Sequence, residues 1–203
     1  MHVTTRPLTA ALTVGSVSLA LVVALSGCTA TGGGSAALAD APSVSAPSGD
    51  APPSDLSGLT AEDGYIPDGA SVSLDDGVPA VQRLDPHLLD ALRAADADAE
   101  SRGTTITIAD GWRSERYQEY LFARAVEQYG SEEEASKWVK RGADSTHVSG
   151  DAVDIATADA MDFLNRFGAE WGLCQVYANE AWHFELRTEP GGECPAQEAD
   201  GRG

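Results

Sequence analysis

The stretch Ser145-Thr146-His147-Val148-Ser149-Gly150-Asp151-Ala152-Val153-Asp154 decides how this chain is read. Its polar first half suits a loop from Gly142 to Gly150, and it runs into Ala152–Ala156, an apolar run that suits a strand. Asp154 sits among Val153 and Ile155, and a carboxylate in such company needs a cation partner. His147 lies just upstream. The chain holds only four histidines: His2, His87, His147 and His183. His2 belongs to an N-terminal export segment. His87 falls in the first turn of an expected helix between acidic groups and reads as a surface residue. His183 closes a second cluster, Glu180-Ala181-Trp182-His183. Two imidazoles and one carboxylate make the three protein ligands of a catalytic zinc site that leaves a fourth position for water. Such a site also needs a carboxylate off the metal as general base. Glu180 precedes His183 in a turn and can reach over the metal. Each fragment alone has a plainer reading, since a strand His is commonly a surface or satisfied core group and a strand-end Asp commonly caps the next turn.

The flanking sequence supplies the frame. Asp85-Pro86 before His87-Leu88-Leu89 gives an N-cap with proline at the first helical position, and that helix ends near Gly103. Thr104 to Ile108 alternates and suits a strand. Ser114 opens a second helix that Gly130 ends. Ser131-Glu132-Glu133-Glu134 opens a third, short helix expected to stop at Gly142. A fourth spans about Ala158 to Trp171. Strands at Cys174–Tyr177 and Trp182–Arg187 flank a tight turn through Asn179-Glu180. Helices come first and most strands late, with short links. That predicts an α+β single domain with a small, mostly antiparallel sheet and flanking helices. Trp138, Trp171 and Phe163 fit helix core faces, and Trp112 lines the cleft or covers the core.

The N-terminus differs in kind. Arg6, an apolar run from Leu8 to Leu25, and small residues before Cys28 describe a secretory signal over residues 1–27. Leu25-Ser26-Gly27-Cys28 resembles the lipobox of bacterial lipoproteins, which implies lipid on Cys28. The other readings are a retained anchor or ordinary cleavage nearby; about 20 apolar residues are needed to span a bilayer, and this run barely suffices. Residues 28–58 are rich in Gly, Ser, Ala and Pro and read as a flexible tether. The folded part is expected at 59–194, with a loose, disordered tail at 195–203. Of the three cysteines, Cys174 and Cys194 remain once Cys28 is set aside. An oxidising compartment lets them bridge, which would contribute about 3 kcal/mol in the chain-entropy model; the other reading is two free thiols. A formal net charge of −19 disfavours nucleic acid and anionic lipid as partners. The sequence therefore predicts an exported monomer on the outer face of the bacterial cytoplasmic membrane, held there through its N-terminal lipid only.

Ser-x-His-x-x-Gly-x-Ala-x-Asp followed by Glu-x-x-Trp-His resembles the zinc D-alanyl-D-alanine carboxypeptidases and dipeptidases of the vancomycin-resistance type. That group includes phage L-alanyl-D-glutamate endopeptidases, and its fold resembles the hedgehog signalling domain. The likeness covers roughly residues 59–187 and includes Asp110-Gly111-Trp112-Arg113-Ser114 with Gln118. It implies zinc (Zn2+) on His147, Asp154 and His183, and Glu180 as catalytic base. It also implies that Arg113, with Gln118 and Ser145, faces the substrate. Arg113 would hold a carboxylate or the developing oxyanion, because a guanidinium binds either bidentately. The plainer alternatives are that Arg113 pairs with Asp110, that Gln118 serves its helix, and that Ser145 orients the loop. The implied substrate is a peptidoglycan stem peptide ending in D-Ala-D-Ala, cut to release the terminal D-Ala. A D,D-dipeptidase, an L-alanyl-D-glutamate endopeptidase and a non-catalytic wall-binding lipoprotein are the alternatives.

Overall fold

Asp85 starts the longest helix as its sequence predicts: its carboxylate accepts from the backbone N–H groups of His87 and Leu88, and Pro86 takes the first helical position. The structure, a computed structural model, describes residues 58–202. The expected signal, the lipidated Cys28 and nearly all of the tether lie outside the described residues. Within them, in chain order, run β1 (Val72–Ser73), α1 (Pro79–Gln82), α2 (Pro86–Ser101), β2 (Thr107–Asp110), α3 (Glu115–Tyr129) and α4 (Glu132–Ala135). Then follow α5 (Thr146–Ser149), β3 (Ala152–Ile155), α6 (Ala158–Phe167), β4 (Leu173–Gln175) and β5 (His183–Leu186). The sheet order is β1-β2-β3-β5-β4, every neighbouring pair antiparallel. The α+β expectation holds.

The core lies on one face of this sheet. Leu88, Leu92, Ala95 and Ala99 line one stripe of α2 and pack on Ile108, Val153, Ile155 and Phe184. Val153 and Ile155 alternate with Asp154, so burying the apolar pair forces Asp154 onto the opposite face. His87 is exposed, as expected.

Four expectations need correction. The strand begins at Thr107 rather than Thr104, because the Ile106 N–H is taken by the Asp96 carboxylate at 2.6 Å and the Thr104 N–H by the Ala99 carbonyl. The third helix stops at Ala135. The carbonyls that would continue it serve distant partners: Lys137 O accepts from Asn179 and Gly201, and Lys140 O from Gln118. Trp138 is therefore no core residue; it is 38% exposed and stacks on Tyr129. The tail is fastened rather than loose. Tyr177 bridges to Glu198, the Gly201 N–H donates to Lys137 O, and Cys174 is bonded to Cys194.

The fourth correction bears on the site. The stretch read as loop carries a one-turn helix, α5, capped by the Ser145 side chain and closed by Gly150 in the left-handed region at φ 86°. Gly150 also accepts the Asp85 N–H through its carbonyl at 2.9 Å, docking α5 on the start of α2. A Cβ at Gly150 would meet the Arg83 carbonyl. Gly150→Ala is expected to destabilise the fold by about 1–3 kcal/mol from the left-handed backbone alone, and further through that contact. A denaturant melt measures it, and an unchanged midpoint would contradict this account of the turn.

Candidate metal centre

Strand register does what sequence spacing could not show. Asp154 on β3 stands directly opposite His183 on β5, and Asp110 on β2 stands directly opposite Asp154. One cross-strand row thus carries carboxylate, carboxylate and imidazole, with Cβ atoms of opposed residues about 4.5–5.5 Å apart. The register slips between Ile108 and Asp110. Such an irregularity re-aims a side chain, and here it separates Asp110 from the core-facing Ile108. The third candidate donor, His147, arrives from α5, and its carbonyl accepts the Arg113 N–H at 3.0 Å.

His147 Nε2, His183 Nδ1 and Asp154 Oδ1 form a nearly equilateral triangle: 3.2 Å between the nitrogens, 3.3 Å and 3.4 Å to the oxygen. Ligands about 2.0–2.1 Å from one tetrahedral ion stand about 3.3–3.4 Å from each other. The other ring nitrogens are committed. His147 Nδ1 donates to the Gly111 carbonyl at 2.8 Å and His183 Nε2 to Glu185 Oε1 at 2.9 Å. These bonds leave a lone pair on each facing nitrogen. Asp154 Oδ1, close as it is, makes no well-directed hydrogen bond and is orphaned in a buried place. Three donor atoms aimed at one point, one of them orphaned, fit a bound metal ion, which would take the place of the proton that acidic neighbours favour on His183. His147, Asp154 and His183 also form the metal-capable group found among the described residues.

The electrostatics agree. Burial opposes charge on His183, yet Asp154 and Glu185 outweigh it and lift the imidazole to about 9. Burial works against the Asp154 carboxylate too, but His147 and Arg113 hold it well below the usual range. Asp110 goes the other way: burial raises it even beside Arg113. Glu180 is 6% exposed, and burial pushes its carboxyl up to about 7 against the pull of His183. Acidic groups outnumber the one buried guanidinium, so the pocket favours an added cation.

The structure brings all seven candidate site residues into one cleft of about 450 Å³, which His147, Asp154, His183, Glu180, Arg113, Gln118 and Ser145 line together with Lys140. A larger hollow of about 780 Å³ beside His87 and Trp171 lies apart from this chemistry. Arg113 is engaged with protein. Its Nη2 donates to Asp154 Oδ2 at 2.6 Å and its Nη1 to Gln118 Oε1 at 3.2 Å, while Nε lies 3.0 Å from Asp110 without pointing at it. Gln118 passes the chain on, donating to Lys140 O at 2.6 Å. Ser145 caps α5 by accepting the His147 N–H at 3.3 Å. In this geometry Gln118 and Ser145 hold the site's parts in place.

Sequence reading missed the second layer. Glu185 is buried, accepts from His183 and from the Thr146 hydroxyl at 2.9 Å, and faces Arg187 at 3.3 Å. Its signal was available, because residues two apart on a strand share a face. The Gly111 carbonyl has no signal in sequence. Glu185→Ala is expected to weaken metal affinity about 10- to 100-fold. Competition against a fluorescent chelator measures this, and an unchanged affinity would refute the supporting role.

A buried cluster of metal-capable donors beside a spare carboxylate, open to a cleft, is the equipment of a hydrolase. The sequence model of VanY, D-alanyl-D-alanine carboxypeptidase, matches residues 81–189, over half of the 203 residues, and the chain belongs to that family. Membership makes it a peptidase-type hydrolase of peptidoglycan. No curated protein matches it. Among solved structures it is similar to a variant of the vancomycin-resistance D,D-pentapeptidase VanY of the VanB-type cassette in complex with Zn(II). The identity is 21% over 57% of this chain and 77% of that one, with a TM-score of 0.49. It is also similar to VanYB in complex with D-alanine-D-alanine, at 22% identity over 59% and 80% with a TM-score of 0.49. A third is the LD-carboxypeptidase LdcB, at 23% identity over 60% and 66% with a TM-score of 0.46.

Proposed function

We propose that this chain is a zinc-dependent D-alanyl-D-alanine carboxypeptidase that removes the terminal D-Ala from peptidoglycan stem peptides. The observation that carries the reading is the triangle of His147 Nε2, His183 Nδ1 and Asp154 Oδ1, with Glu180 in the same cleft. Family membership supports the substrate class, and the zinc and the D-Ala-D-Ala seen with its structural neighbours accord with it.

His147, Asp154 and His183 would hold the ion. A zinc ion held there would supply Lewis acidity, enough to lower the pKa of the attacking water towards about 7 and to polarise the scissile carbonyl. Glu180 accepts the proton of the attacking water. The water oxygen adds to the acyl carbon, the C–N bond breaks, and Glu180 returns the proton to the leaving amine of D-Ala. Burial holds Glu180 near 7, which suits a group that must both take and give a proton. Arg113 keeps Asp154 ionised and oriented, and as a guanidinium lining the cleft it can stabilise the developing oxyanion or pair with the substrate carboxylate. On the same reading the protein acts as a monomer, tethered to the outer face of the cytoplasmic membrane through lipid on Cys28.

Defined muropeptides, digested with and without chelator and resolved by mass, test the proposal. Chelator-sensitive release of single D-Ala is expected. Release of dipeptide, or cleavage between L-Ala and D-Glu, would move the protein to a sister activity. Binding without cleavage would make it a wall-binding lipoprotein.

A further inference from the structure

Three large apolar side chains are conspicuously exposed among the described residues: Tyr129 at 37%, Trp138 at 38% and Trp182 at 38%. Single exposed aromatics are ordinary; several on one concave surface mark a ligand site. All three line the cleft that contains the His147, Asp154 and His183 cluster. Trp182 precedes a metal ligand and belongs to the site already described. Tyr129 and Trp138 do not. They stack on each other, ring centroids 5.7 Å apart and planes 11° from parallel. The pair forms a flat shelf at the C-terminal end of α3.

The cleft is a groove rather than a pit, because α3 lines it from Gln118 to Tyr129. Gln118 marks the catalytic end, where it accepts from Arg113. At 1.5 Å per residue the helix carries the groove about 16 Å from there to Tyr129. A stem peptide cut at its last bond has about four residues on the acyl side, which extend about 13–14 Å. The shelf therefore lies just beyond the reach of the peptide, where the amino sugar that carries it begins. A pyranose ring has an apolar C–H face and a polar rim. An aromatic shelf meets the face, and the exposed Arg124 and Gln128 on the same groove wall meet the rim.

We infer that the Tyr129–Trp138 shelf is a saccharide subsite for the amino sugar to which the stem peptide is attached. This rests on the proposed function for the kind of substrate, and the groove supplies the rest. The enzyme then recognises wall glycopeptide at two points: D-Ala at the cluster and sugar at the shelf.

Two substrates test it, a free stem pentapeptide and the same peptide on its muramyl disaccharide. The wild-type protein is expected to favour the disaccharide form by about three- to tenfold in kcat/KM. Trp138→Ala is expected to bring that ratio to about one, and Trp138→Phe to keep part of it. Thermal midpoints confirm that both variants fold; Trp138 lies outside the core, so little change is expected. The disaccharide alone, titrated against tryptophan fluorescence, should bind the wild type and not Trp138→Ala. Equal kcat/KM for the two substrates in the wild type, or a Trp138→Ala variant that keeps the preference, overturns the subsite. If neither substrate is cleaved, the proposed function fails instead, and the fluorescence titration still decides the shelf: disaccharide binding lost in Trp138→Ala supports it, and no binding to the wild type refutes it.

Discussion

Glu180→Gln is expected to lower kcat about 100- to 10,000-fold while leaving the metal content of the protein as it was. Glutamine keeps the shape of the side chain and loses the capacity to take a proton. Glu180 is not one of the three clustered donors, so nothing in the substitution disturbs the triangle of His147, Asp154 and His183. KM for the pentapeptide should change little, because the lost interaction belongs to the transition state. Stability gives a second readout, taken on metal-free protein. Burial raises the Glu180 carboxyl from 4.5 to about 7. The unfolded chain then releases this proton at lower pH than the folded one. Ionisation thus favours unfolding between those values, and the penalty is complete above about 7. Removing the carboxylate should raise the melting temperature at pH 8 and leave it nearly unchanged at pH 4. A variant with wild-type kcat would eliminate Glu180 as the base.

The second large effect concerns the cluster itself. His183→Ala removes one donor, takes the imidazole from Glu185 while leaving it Thr146 and Arg187, and should abolish both hydrolysis and tight metal binding. The loss of affinity should exceed the about 10- to 100-fold expected for Glu185→Ala, since a direct ligand is deleted rather than its support. Zinc supplied at about 100 times its Kd stabilises a folded site by about 2.7 kcal/mol. Added zinc should therefore raise the melting temperature of the wild type and not that of His183→Ala. Metal analysis of protein purified without added zinc completes the comparison. A His183→Ala variant with undiminished metal and undiminished activity would remove the basis of the proposed function.

Local chemistry made much of this legible beforehand. Asp85-Pro86, Ser114 and Gly130 mark helix ends that need no distant partner to act. The candidate donors were legible because histidine is scarce and the two clusters carry the right companions. Their meeting was not, since it depends on the pairing of Asp154 with His183, which is set by burying Val153, Ile155 and Phe184 on the other face. Trp138 was misplaced because an apolar ring reads as core wherever a helix is expected. The carbonyls that end α4 early are claimed by Asn179, Gly201 and Gln118, all remote in sequence. The one-turn helix that bears His147 was hidden by its polar composition, although Ser145 and Gly150 stood at its two ends.

The pairing of Arg113 with Asp154 settles a matter of denticity. A free aspartate can grip an ion with both oxygens and so fill two coordination positions. Here Arg113 occupies Oδ2 at 2.6 Å, and Oδ1 alone turns towards the imidazoles. Asp154 would thereby offer an ion a single oxygen, Oδ1. The guanidinium also drains negative charge from the carboxylate, making it a poorer electron donor to any ion it holds. The same salt bridge that steadies the strand would leave an ion held by His147, Asp154 and His183 room for water and a stronger Lewis acidity.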